Sequence, residues 1–355
     1  MIHANYNPGR AIAVRLRQAR MRRGWTLNDL AAQTGGKVST MALSKYENTI
    51  MAPSPEVLAA LSQALELPLE FFSKELSKHN YIALFKFGPA FVHRNGPEQR
   101  YAAEEYYARH AELDDLLGAP ETKSLWKGAS GLSVYAKTEE CVEEARQAMG
   151  FGGGPISSMV GLLEDHGVLV FLYEGPETFE GSAGTCGPRL VMALNQSLAN
   201  GKTRLRAAKE LAYMVWEDGL REFPLKDWPS LCGKLARSLL MPDGHFRDML
   251  GARRRHVALE EIRALADYFG VEGEAVIARA VDLDCIAETT AMRMRLAWVK
   301  SRKASGEVDA PFSEKPRRFE LLLRRAILEK LLPEEKVLEL AEGFVPDLAK
   351  QEVLK

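Results

Sequence analysis

Cysteine is scarce: four in 355 residues (Cys141, Cys186, Cys232 and Cys285), far apart and with no CxxC pair. That spacing argues against a disulfide scaffold and a zinc knuckle, and reduced thiols of a cytoplasmic protein are expected. No apolar run approaches the roughly 18 to 20 residues that a spanning helix needs, so a membrane protein is not expected. The first ten residues lack the apolar segment of a secretion signal. The glycine run Gly152-Gly153-Gly154 has no GK[ST] after it and no strand before it, so it is no phosphate loop. What remains is a chain long enough for two or three cores, with 46% hydrophobic and 27% charged residues.

Net charge is also small, −1, but it is unevenly spread. Residues 1–51 carry eight basic side chains (Arg10, Arg15, Arg17, Arg20, Arg22, Arg23, Lys37, Lys45) against Asp29 and Glu47, a balance of +6. The rest of the chain therefore sums to −7. A basic unit fused to an acidic body is the asymmetry expected when one end touches a polyanion.

That basic end reads as short helices. Ala11, Val14 and Leu16 to Ala19 form an amphipathic pattern ending at Gly24, with Arg15, Arg22 and Arg23 outside it. Thr26 stands before Leu27, Leu30 and Ala31 as the cap of a second helix, which Gly35 and Gly36 break. Ser39 is placed to cap a third, Thr40 to Glu47, with Leu43 and Tyr46 inward and Thr40, Met41, Ser44 and Lys45 toward the other side. Pro53-Ser54-Pro55 opens a fourth through Leu65, and Leu67 to Phe72 supplies a fifth. The stretches "RLRQARMRRGWTLNDLAAQTG", "VSTMALSKYEN" and "PSPEVLAALSQALELPLEFF" resemble the Xre-type helix-turn-helix family of bacterial and phage regulators over about residues 11–72. The resemblance implies that the third helix lies in the major groove of duplex DNA. Thr40, Met41, Ser44 and Lys45 would then meet bases or phosphates, and Ser39 would stand at the helix start. Thr26 and the second-helix N-terminus would face a phosphate, with Lys37, Arg22 and Arg23 adding salt-dependent affinity.

The middle of the chain reads as a hairpin across residues 81–92, a long helix over 97–117 whose Tyr101, Tyr106 and Tyr107 belong to a core or an interface, and a linker over 118–131. Beyond it, helices are expected over 142–149, 156–163 and 204–216, strands over 167–173 and 190–195, and a turn at 180–184. "PISSMVGLLEDHGVLVF", "FEGSAG", "PRLVMALN", "RLRAAKELAYMVW" and "ARSLLMP" resemble, in order, the ImmA/IrrE family of metallopeptidase domains. That family carries HExxH on its helix, two histidines for zinc and a glutamate as general base. Here the place reads Lys209-Glu210-Leu211-Ala212-Tyr213, and no carboxylate lies between Trp228 and Arg237, where the third ligand is implied. Only Glu210 survives. An ammonium repels a dication, and a tyrosine binds zinc poorly unless ionised. The expectation is a degenerate pocket at Lys209, Glu210 and Tyr213 with no catalytic residue, metal or cofactor; an anionic ligand would suit Lys209.

Residues 253–355 read as consecutive amphipathic helices, the last over 334–348, with a flexible loop at 305–316. The expected fold is mainly α. A five-helix helix-turn-helix domain (1–78) precedes a hairpin, helix and linker (79–135), a small-sheet, zincin-like α+β pseudo-peptidase domain (136–250) and a helical region (251–355). The expected function is a sequence-specific DNA-binding transcriptional regulator, a repressor, binding operator inverted repeats as a homodimer. Its second domain would serve dimerisation and sensing of a small-molecule or protein effector, in a cytoplasmic, nucleoid-associated protein of bacterial or phage origin. Two alternatives stand beside it: an active metallopeptidase that cleaves a repressor with atypical ligands, and an antitoxin-like protein whose acidic body binds a partner.

Overall fold

The computed structural model describes residues 8–23, 25–73, 83–85, 96–118, 137–175, 180–198, 200–305 and 314–350. The expected hairpin beyond residue 85, the linker and most of the expected loop at 305–316 lie outside them. The chain divides into two compact units, one of Met1–Ala83 with Pro89–Glu112, the other of Leu84–Gly88 with Leu113–Lys355.

The first unit holds α1 (Pro8–Arg22), α2 (Leu27–Gln33), α3 (Thr40–Glu47), α4 (Pro55–Leu65) and α5 (Leu69–Ser73). Three hydroxyls start three helices: Thr26 accepts from the Asp29 N–H, Ser39 from Ala42 and Ser54 from Val57. Each satisfies a donor that the first turn leaves open. Leu16, Ala19, Leu30, Val38, Leu43, Tyr46, Leu61, Leu65 and Phe72 meet in one core. Between α2 and α3 the chain reverses through Gly35 and Gly36, both left-handed at φ +66° and +76°, where a side chain would be strained. The helix α6 (Gly96–Leu116) begins in this unit, with Tyr106 and Tyr107 buried; the Tyr101 side chain lies outside the described residues.

The second unit is built around a small sheet. Strand β2 (Leu169–Tyr173) pairs parallel with β4 (Arg189–Asn195), Leu169 facing Val191 and Tyr173 facing Asn195. Strand β3 (Gly181–Cys186) pairs antiparallel with β4, from Gly181 against Leu194 to Cys186 against Arg189. Leu84 and Phe85 of the short strand β1 (Ala83–Phe85) extend it beside β3, in the order β1-β3-β4-β2.

The segment 180–184, expected as a turn, is thus a strand. Its Gly, Ser and Ala look like turn residues, yet they are buried and small because the neighbouring strand and helix press close. A Cβ on Gly181 would stand 2.9 Å from the Ala193 carbonyl oxygen. The turn falls instead at Gly187, φ +60°.

Packed with the sheet in one core are α7 (Thr138–Ala148), α8 (Met159–Asp165), α9 (Asn200–Val215), α11 (Trp228–Leu240) and α12 (Asp243–Leu250), with short α10 (Glu217–Leu220) between α9 and α11. The same core continues into α13 (Leu259–Phe269), α14 (Gly273–Asp282) and α15 (Glu288–Ser305). Then come α16 (Arg318–Leu328), α17 (Glu334–Ala341) and α18 (Pro346–Lys350). The single helix expected over 334–348 is two, because Gly343 takes φ +82° and Pro346 cannot continue the preceding turn.

The end of the expected flexible loop is anchored. Glu314 is buried and accepts from the Met159 and Val160 N–H groups (3.0 and 2.7 Å), the Ser158 hydroxyl (3.2 Å) and Arg204 Nη1 (2.9 Å). Glu164, at the other end of α8, accepts from the Arg317 N–H at 2.9 Å. Two carboxylates thereby tie the start of α16 to α8.

Candidate nucleic-acid interface

Helix α3 is fixed on one side and open on the other. Leu43 and Tyr46 enter the core. Glu47 receives a two-pronged contact from Arg20, Nε to Oε1 at 2.6 Å and Nη2 to Oε2 at 2.7 Å. Arg20 Nη1 also donates to the Trp25 carbonyl at 2.6 Å, so one guanidinium clamps α1, the turn before α2 and the end of α3.

Positions 40, 41, 44 and 45 are left on the outer side, one turn apart in pairs. Met41 is 71% exposed and Lys45 is exposed, while Thr40 and Ser44 are half-buried beside them. The Thr40 hydroxyl donates to Asn28 Oδ1 at 2.9 Å, coupling the first turns of α2 and α3. Asn48 Nδ2 donates to the Ser44 carbonyl at 2.8 Å and closes the helix. An open cation, an apolar side chain and two hydroxyls on one helix side can meet phosphates, thymine methyls and base edges.

The other expected contacts divide. Lys37 is exposed after the glycine turn and, like Lys45, makes no ion pair with any described residue. Ser39 caps α3. Thr26 commits both its N–H and its hydroxyl to Asp29 Oδ2, each at 2.7 Å, which holds the Asp29 carboxyl below the usual range. A carboxylate therefore stands where the resemblance implies a phosphate. Arg23 ties the end of α1 to Glu66 and the Leu65 carbonyl, both at 2.8 Å, and lies over the Trp25 ring. Arg22 closes α1, and its side chain lies outside the described residues. Asn28, Asn48 and the exposed Ile50 and Met51 were not singled out in the sequence. Their type and place in a first turn or a following loop were the available signals.

In the second unit Lys209, Glu210 and Tyr213 share α9 but not one surrounding. Glu210 is fully buried and faces the sheet, accepting from the Ala183 N–H at 2.8 Å and pairing closely with Arg206. Burial pushes its carboxyl up to about 7 against the pull of Arg206. Tyr213 hydrogen-bonds the Cys232 thiol on α11, and desolvation raises both groups well above their ordinary values. Lys209 turns toward Gly233 of α11, its Cε 3.8 Å from where a Cβ would stand. An ammonium and a phenol, at Lys209 and Tyr213, are poor zinc ligands, and the Glu210 carboxylate between them is already held by Arg206 and the Ala183 N–H. Among the described residues no three His, Cys, Asp or Glu side chains come together to hold a metal ion. Nor is any helix among them long and apolar enough to cross a membrane.

No curated protein and no solved structure matches the chain. The model of the Helix-turn-helix family matches residues 16–72, from within α1 to α5. The match identifies this segment as an Xre-type helix-turn-helix unit and supports a DNA-binding transcriptional regulator.

Proposed function

We propose that the protein is a sequence-specific DNA-binding repressor that grips operator inverted repeats as a homodimer through the open side of α3. The observation that carries this reading is the combination of a clamped inner side, Leu43, Tyr46 and Glu47, with an exposed outer side, Met41 and Lys45, that pairs with no described residue, in a segment of charge +6. Thr40 and Ser44 supply hydroxyls beside them, and Lys37 adds a cation at the preceding turn. Half-sites about one helical turn apart follow from two-fold pairing of such units.

The second unit, on this reading, keeps a peptidase-like arrangement without peptidase activity and serves dimerisation and sensing. The support is the state of Glu210. Gripped by Arg206 and a strand N–H inside the core, it cannot serve as a base toward water, and Lys209 and Tyr213 stand where the resemblance puts the histidines. Genome-wide mapping of bound sites tests the first part: paired half-sites at promoters, with raised transcription in cells lacking the protein, are expected. Unspecific coverage would overturn it. Stoichiometric zinc in the purified protein, or cleavage of a protein substrate, would overturn the second part.

A further inference from the structure

Thr40 and Ser44 stand one turn apart on the open side of α3, and two asparagines fix what each hydroxyl can still do. A hydroxyl has one hydrogen to donate and two lone pairs with which to accept. The half-buried Thr40 donates its hydrogen to Oδ1 of the exposed Asn28, in the first turn of α2, at 2.9 Å. The Ser44 hydroxyl donates to no described residue. It is approached instead by Asn48 Nδ2 at 3.4 Å, and the same nitrogen holds the Ser44 carbonyl at 2.8 Å. Toward a ligand, Thr40 therefore has only lone pairs to offer, whereas Ser44 keeps its hydrogen.

This difference matters in a major groove. There adenine and cytosine present exocyclic amino donors, while guanine presents N7 and O6 and thymine presents O4, all acceptors. Phosphate oxygens also accept. An oxygen that can only accept is matched by an amino group. Facing guanine O6, thymine O4 or a phosphate, Thr40 would set lone pairs against lone pairs or break its bond to Asn28.

We propose that Asn28 determines base specificity through Thr40: by holding the Thr40 hydrogen, it makes that hydroxyl select adenine or cytosine over guanine or thymine on the strand it faces. Asn28 is thus a positioning residue, and its bond also holds the stiff, β-branched Thr40 side chain in one rotamer. Ser44 is under no such restriction and can donate to a base acceptor or a phosphate. The inference rests on the reading that α3 enters the major groove, and it names the bases that the first turn of α3 accepts.

The test is selection of bound duplexes from a randomised pool by the full chain, read by sequencing, for the wild type and surface variants. Thr40→Val keeps the shape and removes the oxygen, so the motif position it alters is the one that Thr40 faces. At that position the wild type should prefer adenine or cytosine by about fivefold, as one net hydrogen bond gives, and Thr40→Val should lose the preference. Asn28→Ala should lose it too, because the freed hydroxyl can then donate as well as accept. Asn28→Asp still accepts the Thr40 hydrogen, so the preference should stay while the added charge weakens binding to every duplex alike. Ser44→Ala should leave this position as in the wild type. Selection at the other motif positions, retained in each variant, shows an intact fold. No position altered by Thr40→Val, guanine or thymine preferred there, an unchanged preference in Asn28→Ala, or its loss in Asn28→Asp would overturn the proposal. A wild type that selects no motif at all would overturn the DNA reading itself, and this inference with it.

Discussion

The "SKYE" tetrad holds two charges with opposite duties, and exchanging each for alanine separates them. Glu47 and Arg20 are nearly buried, their side chains 6% and 12% exposed. Glu47→Ala leaves a guanidinium without its counter-ion against the core. Breaking a buried pair from one side costs about 3–5 kcal/mol. A small domain has a total stability near the low end of about 5–15 kcal/mol, so much of this would be consumed. The Lys45 side chain is exposed and pairs with no described residue, and its removal should alter stability by less than about 0.5 kcal/mol. In urea unfolding of the full chain, Glu47→Ala should pull the first unit's transition to much lower denaturant, and duplex binding should fall with it. Lys45→Ala should melt as the wild type and still bind DNA more weakly. Replacing the pair with apolar residues, Arg20→Met with Glu47→Leu, should restore much of the lost stability. Equal unfolding midpoints for Glu47→Ala and the wild type would refute the clamp.

Three further outcomes follow from the second unit. Glu314→Ala strands Arg204 and the first N–H groups of α8, and should lower that unit's stability by about 3–5 kcal/mol in urea unfolding; a change below about 1 kcal/mol would mean that the anchor is idle. Burial raises the Glu164 carboxyl to about 7, above its ordinary 4.5, so its contribution is full below about pH 4.5 and is lost as pH rises through 7. Glu164→Gln should therefore flatten the pH dependence of stability between those values, and an unchanged curve would contradict the assignment. Gly273→Ala places a Cβ 2.3 Å from the Trp298 ring and should cost about 1–3 kcal/mol or more, visible as a lowered melting temperature; a wild-type melt would show that the ring moves freely.

Local chemistry was legible where it acts over a few residues. Thr26, Ser39 and Ser54 mark the starts of α2, α3 and α4 because a cap hydroxyl reaches only its own first turn. The inward pair Leu43 and Tyr46 and the outward Met41 and Lys45 follow from the helical period. What escaped was set by distant partners. Arg23 reads as a free cation until Glu66 is found beside it, and β3 reads as a turn until β4 explains its small residues. Glu314 looks like part of a polar loop, although α8 and Arg204 enclose it.

The central claim, that the open side of α3 grips duplex DNA, is tested most directly by fluorescence anisotropy on a mapped site over a range of salt. Log affinity should fall steeply and linearly with log salt, and Lys45→Ala should lower the slope by about 1, the loss of one phosphate contact. A flat salt response, or an affinity and slope unchanged in Lys45→Ala, would contradict it.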